Sequence, residues 1–153
     1  MLSAYAGRIR PIAICVFLHQ ERILVAEAHD SRKHQTFYRP IGGTIEFGER
    51  GEEALRRELR EEINAEIADI RYLGTLENIF TYEGRRGHEI VLVYDARFVD
   101  EAIYGKEVIE GYEEDVSLPF RIVWKRLDEF GPDDPPVYPE GLLVLLTGAR
   151  DRR

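Results

Sequence analysis

Apolar residues come in short runs over most of this chain, and the period changes once. Ile12–Leu18 and Ile23–Ala28 are β-rich runs separated by the polar segment His19–Arg22, and they predict a hairpin. His29–Thr36 is polar and predicts a loop. Phe37–Ile41 is a short extended piece containing Pro40 that runs straight into Gly42 and Gly43. From Glu52 to Ile63 the spacing turns helical, with Leu55, Leu59 and Ile63 falling on one stripe. Asn64 follows, a residue type that tolerates the left-handed conformation at a helix end. Ile67–Phe80 predicts one or two strands, Ile90–Val99 the strongest strand, and Arg121–Trp124 a further one. Asp100–Pro119 is acidic and irregular and reads as a mobile loop with one helical turn. Pro132–Pro139 punctuates the chain before a last short helix near Glu140–Thr147. Strands outnumber helices and two helices can cover them. An α/β architecture, a mixed sheet sandwiched by helices, is the simplest arrangement.

Composition narrows this picture. The 153 residues are 44% hydrophobic and include seven Phe, eight Tyr and one Trp, enough for one domain with a real core across residues 1–153. A charged fraction of 33% with a mean hydropathy of -0.34 reads as soluble and globular, not disordered. The net charge of -8 repels a nucleic-acid backbone, so no polynucleotide partner is expected. A small phosphorylated substrate is compatible with that charge if cations offset it. Cys15 is the one cysteine, so no intrachain disulfide forms. Its place between Ile14 and Val16 marks it as a small buried hydrophobe. The longest apolar run, Ile12–Leu18, is too short to span a membrane, and no export signal precedes it. A cytoplasmic setting is the expectation.

The chemistry concentrates between Gly43 and Ala65, in GTIEFGERGEEALRRELREEINA. A helix turns about 100° per residue, which places Glu62 about 40° to one side of Glu58 and Glu61 about 60° to the other. Three carboxylates thus share one face beside the Leu55, Leu59 and Ile63 stripe, at the edge of the core. Crowded like charges are unfavourable, more so when partly buried. A divalent cation relieves the conflict, and carboxylate oxygens are the donors that magnesium or manganese takes. Gly42, Gly43 and Gly48 allow a loop to approach this face and present carbonyl oxygens, and small Ala54 leaves room for it. Arg57 flanks the carboxylates, and a Glu49–Arg57 pair would clamp loop to helix in the bidentate geometry that suits arginine.

Gly43, Glu49, Arg57, Glu58, Leu59, Glu61 and Glu62 together resemble the Nudix box: Gly, five residues, Glu, seven residues, Arg-Glu, an aliphatic residue, one residue, Glu-Glu. The family pattern closes with Gly and an aliphatic residue, where this chain has Asn64 and Ala65. Arg50 stands where a Ser or Thr cap is usual. The resemblance implies a Nudix-type α/β/α sandwich with a mixed β-sheet, in a MutT-like hydrolase. It implies cleavage of a nucleoside diphosphate linked to another moiety, X: a dinucleoside polyphosphate, nucleoside triphosphate, ADP-ribose or nucleotide sugar. It makes Glu58, Glu62 and the Gly43 carbonyl metal ligands for Mg2+ or Mn2+, Glu61 a further ligand or the base, and Glu49 and Arg57 orienters. Family habit also makes a homodimer conceivable.

Around the box the residues say less. Nudix enzymes often add an acidic group from beyond the box, for which Glu89, Glu110, Glu113, Glu114 and Asp115 are candidates. Phe80 and Tyr82 could stack on a base, although their alternation with Thr81 equally suits an ordinary strand. Tyr82 also lies about where some dinucleoside polyphosphate hydrolases of the family carry a tyrosine. Arg39, His34 and Phe37 precede the Gly loop and could line a pocket; each also suits a loop or core role. His88 is likewise ambiguous. The competing reading is a non-catalytic Nudix domain that senses a nucleotide or binds a partner, and loss of box carboxylates would be its signature. None is lost. Isoprenoid diphosphate isomerisation would need a reactive cysteine that Cys15, in a predicted strand, does not supply. Decapping of RNA is disfavoured by charge.

Overall fold

The computed structural model describes residues 6–113 and 116–151. Along the chain run β1 (Arg10–Cys15), β2 (Arg22–Asp30), β3 (Gln35–Thr44), α1 (Gly51–Ile63), β4 (Ile67–Tyr82), β5 (Arg85–Phe98), β6 (Val108–Glu113), β7 (Val116–Arg126) and α2 (Leu142–Asp151). The strands form a seven-stranded sheet in the order β4-β5-β1-β3-β2-β7-β6. β1 and β5 are parallel and the other pairs antiparallel, so the sheet is mixed.

The apolar run of β1 splits by alternation between two cores. Ala13, Cys15 and, beyond the strand, Phe17 pack with Ala54, Leu55 and Leu59 of α1. Ile12, Ile14 and Val16 pack with Leu142 and Leu146 of α2. A strand covered on both faces reads as a continuous hydrophobic stretch, which is how Ile12–Leu18 reads. One helix on each face gives the α/β/α sandwich. Cys15 is fully buried, and burial pushes its thiol well above the ordinary range, so it behaves as a small hydrophobe. Among the described residues no helix is long and apolar enough to cross a membrane.

Three expectations need correction. β1 and β2 do not form a hairpin ladder, because β3 lies between them. Their contact is reduced to the bridge His19–Arg22 and the Leu24 N–H donated to the Val16 carbonyl at 3.0 Å. The polar stretch His29–Thr36 is only half loop: His29–Asp30 and Gln35–Thr36 are strand, with the turn confined to Ser31–His34. Asp100–Pro119 is not an irregular loop: after a 3-10 turn at Glu101–Gly105 it supplies edge strand β6 and the start of β7. Edge strands need an apolar pattern on one face only, so their sequences look polar.

Helix α1 has the ends its sequence requires. Arg50 has no side-chain acceptor to cap with, and Glu53 reaches back to accept the Arg50 N–H at 3.3 Å. Asn64 sits in the left-handed region at φ 52, and the Ala65 N–H closes the end on the Leu59 carbonyl at 3.2 Å. The departure from the family Gly therefore leaves the turn intact.

β3 changes partners along its length. Gln35–Pro40 pairs with β2, and Ile41–Thr44 pairs with β1. Gly42 permits the change: a Cβ there would stand 1.9 Å from the Ala13 carbonyl oxygen. β1 begins only at Arg10, level with Glu89 of β5. Arg85–His88 of β5 runs past that end, Gln35–Pro40 of β3 runs past the other end beyond Cys15, and the segment around Val137 fills only part of the gap beside Tyr38. That gap opens a cleft.

A candidate active site at the Gly loop and helix α1

The cleft has a volume of about 1010 Å³ and is walled by β2 and β3 on one side, β4 and β5 on the other, with α1 at one end. At that end Arg57 joins loop to helix. Its Nε and Nη2 donate to Glu49 Oε2 and Oε1 at 2.8 and 2.9 Å, the bidentate clamp expected from sequence. Nη2 also reaches the Thr44 carbonyl at 2.9 Å, and Nη1 reaches Glu58 Oε1 at 2.9 Å and Glu61 Oε2 at 3.3 Å. One guanidinium thus orders the loop and two of the three helix carboxylates, as its planar set of donors allows.

The electrostatics follow. The Arg57 guanidinium holds the Glu49 carboxyl down at about 2, and Glu49 in turn raises the pKa of Arg57. Burial pushes the Glu58 carboxyl up, with Arg57 opposing. Glu62 is 7% exposed, next to Leu59 in the helix seam. Gly43 lies against Glu58 so closely that a Cβ would come within 2.5 Å of its carboxyl carbon. Among the described residues no three acidic, His or Cys side chains converge as a ready cage. Glu58 and Glu61 turn instead to Arg57. The donors that could hold a divalent cation nonetheless line one cleft: Glu58, Glu61 and Glu62 from helix α1, with the Gly43 backbone against Glu58.

Arg39, Phe80 and Tyr82 also line the cleft. Arg39 is half-buried, and its guanidinium makes no ion pair among the described residues. The Phe80 ring lies across Gly87, where a Cβ would be 2.3 Å away. Tyr82 meets Phe37 edge-on at 5.8 Å, and Phe37 meets Tyr138 at 5.6 Å. His34 sits exposed in the β2–β3 turn at φ 52, and Glu110 is exposed on β6; neither lines the cleft. Glu114 and Asp115 lie outside the described residues, as does the side chain of Glu113. Of the later acidic candidates, Glu89 reaches the cleft. It is 2% exposed and takes Arg10 Nη1 at 3.5 Å and Asn78 Nδ2 at 3.3 Å.

Sequence reasoning missed the closed far end. Asp30 accepts the N–H groups of Arg32, Lys33 and Glu83, and Glu83 accepts the Ser31 N–H at 2.7 Å. These bonds tie the β2–β3 turn to the β4–β5 turn across more than fifty residues of chain, and no local signal announces such a pairing.

Residues 8–140 match the family model of the NUDIX domain. The chain belongs to the Nudix family. It is 37% identical over 68 residues to the NAD-capped RNA hydrolase NudC of Vibrio vulnificus, covering 44% of this chain and 25% of that protein. It is 28% identical over 100 residues to the NudC of Pseudomonas aeruginosa, covering 65% of this chain and 33% of that one. The match thus spans a quarter to a third of the length of these curated Nudix relatives. Among solved structures, the MutT NUDIX hydrolase from Burkholderia pseudomallei superposes with a TM-score of 0.64 at 19% identity, covering 91% of this chain and 97% of that one. A NUDIX hydrolase from Nitrosomonas europaea gives 0.65 at 14% identity, covering 95% and 90%. These likenesses show the Nudix fold.

Proposed function

We propose that this Nudix chain is a divalent-metal-dependent pyrophosphohydrolase that cleaves the diphosphate linkage between a nucleoside and a second moiety, X. The observation that carries the reading is the Arg57 hub. A partly buried, bidentate Arg57–Glu49 pair holds the Gly loop against a helix face bearing Glu58, Glu61 and Glu62, all opening on one cleft. A structural helix has no use for three carboxylates gathered at a cavity.

The residues fit a hard cation. Every available donor is an oxygen, the class magnesium and manganese take, and Gly43 presents no Cβ where the Glu58 carboxylate sits. Glu58, Glu62 and the Gly43 carbonyl would hold the ion, with Glu61 beside them. A bound cation would neutralise charge on the diphosphate oxygens and lower the pKa of the attacking water. The greater exposure of Glu61 among the box carboxylates that Arg57 touches supports it as the base that would accept that water's proton. Arg57 and Glu49 keep the carboxylates in register and exclude alternative rotamers. Arg39, without a carboxylate partner among the described residues, is available to the substrate's other phosphate.

The substrate is small and nucleotide-like. The relatives' name refers to an NAD cap, which is two nucleosides joined through a diphosphate. With a net charge of -8, this chain suits such a dinucleotide as a free molecule better than the RNA attached to it. Two features support that size: the cleft volume, near the upper end of small-molecule sites, and the closed far end.

The test is release of nucleotide or phosphate from ADP-ribose, NAD, dinucleoside polyphosphates, nucleoside triphosphates and nucleotide sugars, with magnesium and with manganese. Glu62→Gln runs alongside. Metal-dependent turnover abolished by Glu62→Gln is the expected result. No turnover on any substrate, with metal changing neither activity nor melting temperature, overturns the catalytic reading in favour of a nucleotide-sensing module.

A further inference from the structure

We infer that the sheet carries a stacking slot for the flat heterocycle of a nucleotide, formed by Phe37, Ala28 and Phe120. The inference rests on the reading that this cleft is the substrate site. It starts from the strand register. Phe37 lies directly across from Ala28, and Arg39 across from Ala26. On the other flank Ala26 pairs with Ile122, and the Arg121–Glu27 ion pair at 3.5 Å carries the same register outward. The ladder ends at that pair, and Ala28 and Phe120 are the next residues on the same faces of their strands, two beyond Ala26 and Ile122. Three neighbouring strands therefore present an aromatic, a methyl and an aromatic in one row.

At the last fully paired row, Arg39–Ala26–Ile122, the outer strands stand about 9.5 Å apart, two strand spacings. A flat ring held between two aromatic faces needs about 7 Å, two contacts of about 3.5 Å. The side chains leave that room because both rings lean outward. Phe120 lies over Gly111, where a Cβ would be 2.6 Å from the ring. Phe37 is engaged edge-on with Tyr82 and Tyr138 on its far side. Ala28 consequently remains partly exposed although it sits on a central strand between two phenylalanines, and all three residues line the cleft. A packing role alone would have closed the row with a larger residue at position 28.

The next row toward the Gly loop, Arg39–Ala26–Ile122, fixes the polarity of the guest. Arg39 lies about 7 Å along the strand from Phe37 and about 13 Å from Gly43. A heterocycle over Ala28 thus sends its phosphates past Arg39 toward the box carboxylates. The slot reads the face of the ring and not its edge, since no polar side chain belongs to the row. It therefore accepts aromatic heterocycles as a class.

The experiment measures binding of AMP and ribose 5-phosphate in EDTA, by ligand-observed NMR titration, for wild type, Ala28→Leu and Phe120→Leu. Stacking on an aromatic face is worth roughly 5- to 150-fold per base. Wild type is expected to prefer AMP by a factor in that range. Ala28→Leu fills the slot and should bring the preference to within about twofold, with ribose 5-phosphate affinity unchanged. Phe120→Leu removes one wall without adding bulk and should reduce the preference in the same sense. Equal wild-type affinity for the two ligands, or a parallel loss of both in the variants, overturns the slot. Hydrolysis is scored separately: a wild type that binds AMP preferentially but cleaves no diphosphate keeps the slot and sinks the hydrolase.

Discussion

Gly43→Ala is the sharpest perturbation the site offers, because the atoms nearest the added methyl all belong to the carboxylate of Glu58. Its Cβ would stand 2.5 Å from Glu58 Cδ and 2.6 and 2.7 Å from the two carboxylate oxygens. Ordinary contact is about 3.5 Å, so the carboxylate must retreat by about 1 Å. That retreat breaks the 2.9 Å bond from Arg57 Nη1 and moves the central box carboxylate off its position. Misplacement of about 1 Å at a reacting centre costs about 100-fold in rate. Stability should hardly change. The backbone of Gly43 is not in the left-handed region, so alanine gains roughly 0.5 kcal/mol through the unfolded chain, against the loss of one half-exposed charged hydrogen bond. A net change within about 1 kcal/mol moves the melting temperature by only a few degrees. Steady-state kinetics on the best substrate, paired with calorimetry, reads both quantities. The decisive arm adds Glu58→Asp, whose carboxylate is one methylene shorter and makes room for the methyl. The double variant should recover about tenfold over Gly43→Ala, a non-additivity expected only of residues in contact. Gly43→Ala activity within threefold of wild type, or a double variant no better than the product of the singles, would refute the contact argument.

The neighbouring glycine should behave in the opposite way. A Cβ at Gly42 meets Ala13 O at 1.9 Å and Ile14 Cα at 2.7 Å, both backbone, so Gly42→Ala must part β1 from β3. We expect a loss of about 3 kcal/mol in denaturant unfolding, and a loss below 1 kcal/mol would contradict the ladder geometry. The Glu49–Arg57 clamp predicts a pH signature. The Glu49 carboxyl is depressed from 4.5 to about 2, so its contribution is complete above pH 4.5 and disappears as pH falls toward 2. With 18% of the side chain exposed, solvent screening limits that contribution to about 2 kcal/mol. Unfolding free energies of wild type and Glu49→Gln should differ by this amount at pH 7 and converge near pH 2. A constant gap across that range would show that the carboxylate charge is not what the clamp uses.

What the sequence disclosed depended on how local each signal is. The α1 stripe, the Glu49–Arg57 pairing and the left-handed Asn64 are written within one short stretch, and all of them are present as read. Cys15 was legible because a strand buried on both faces leaves no other reading of its neighbours. Sheet order was not legible. Two apolar runs joined by four residues look like partners, and only the long-range fit of Gly42 against Ala13 puts β3 between them. β6 was hidden by its own edge position, since VIEGYE carries apolar side chains at too few places to outweigh its charges. The cleft lining was the least visible part. Phe37 suits a core as well as a pocket until β3 is found to leave β1 beyond the Cys15–Ile41 pair, and Phe120 acquires meaning only beside Ala28.

The partner change within β3 makes that strand a ruler. Phe37 and Arg39 are held by β2 and Gly43 by β1, yet all three sit at odd steps of one unbroken extended chain. Parity ties them together. Exchange of a side chain at 37 or 39 alters what the cleft accepts and leaves Gly43 in place. Insertion or loss of a single residue between 39 and 43 would turn one set to the opposite face, separating recognition from chemistry at a stroke. Substrate range along this lineage can therefore drift through the identity of residues in β3, while the length from Phe37 to Gly43 stays fixed.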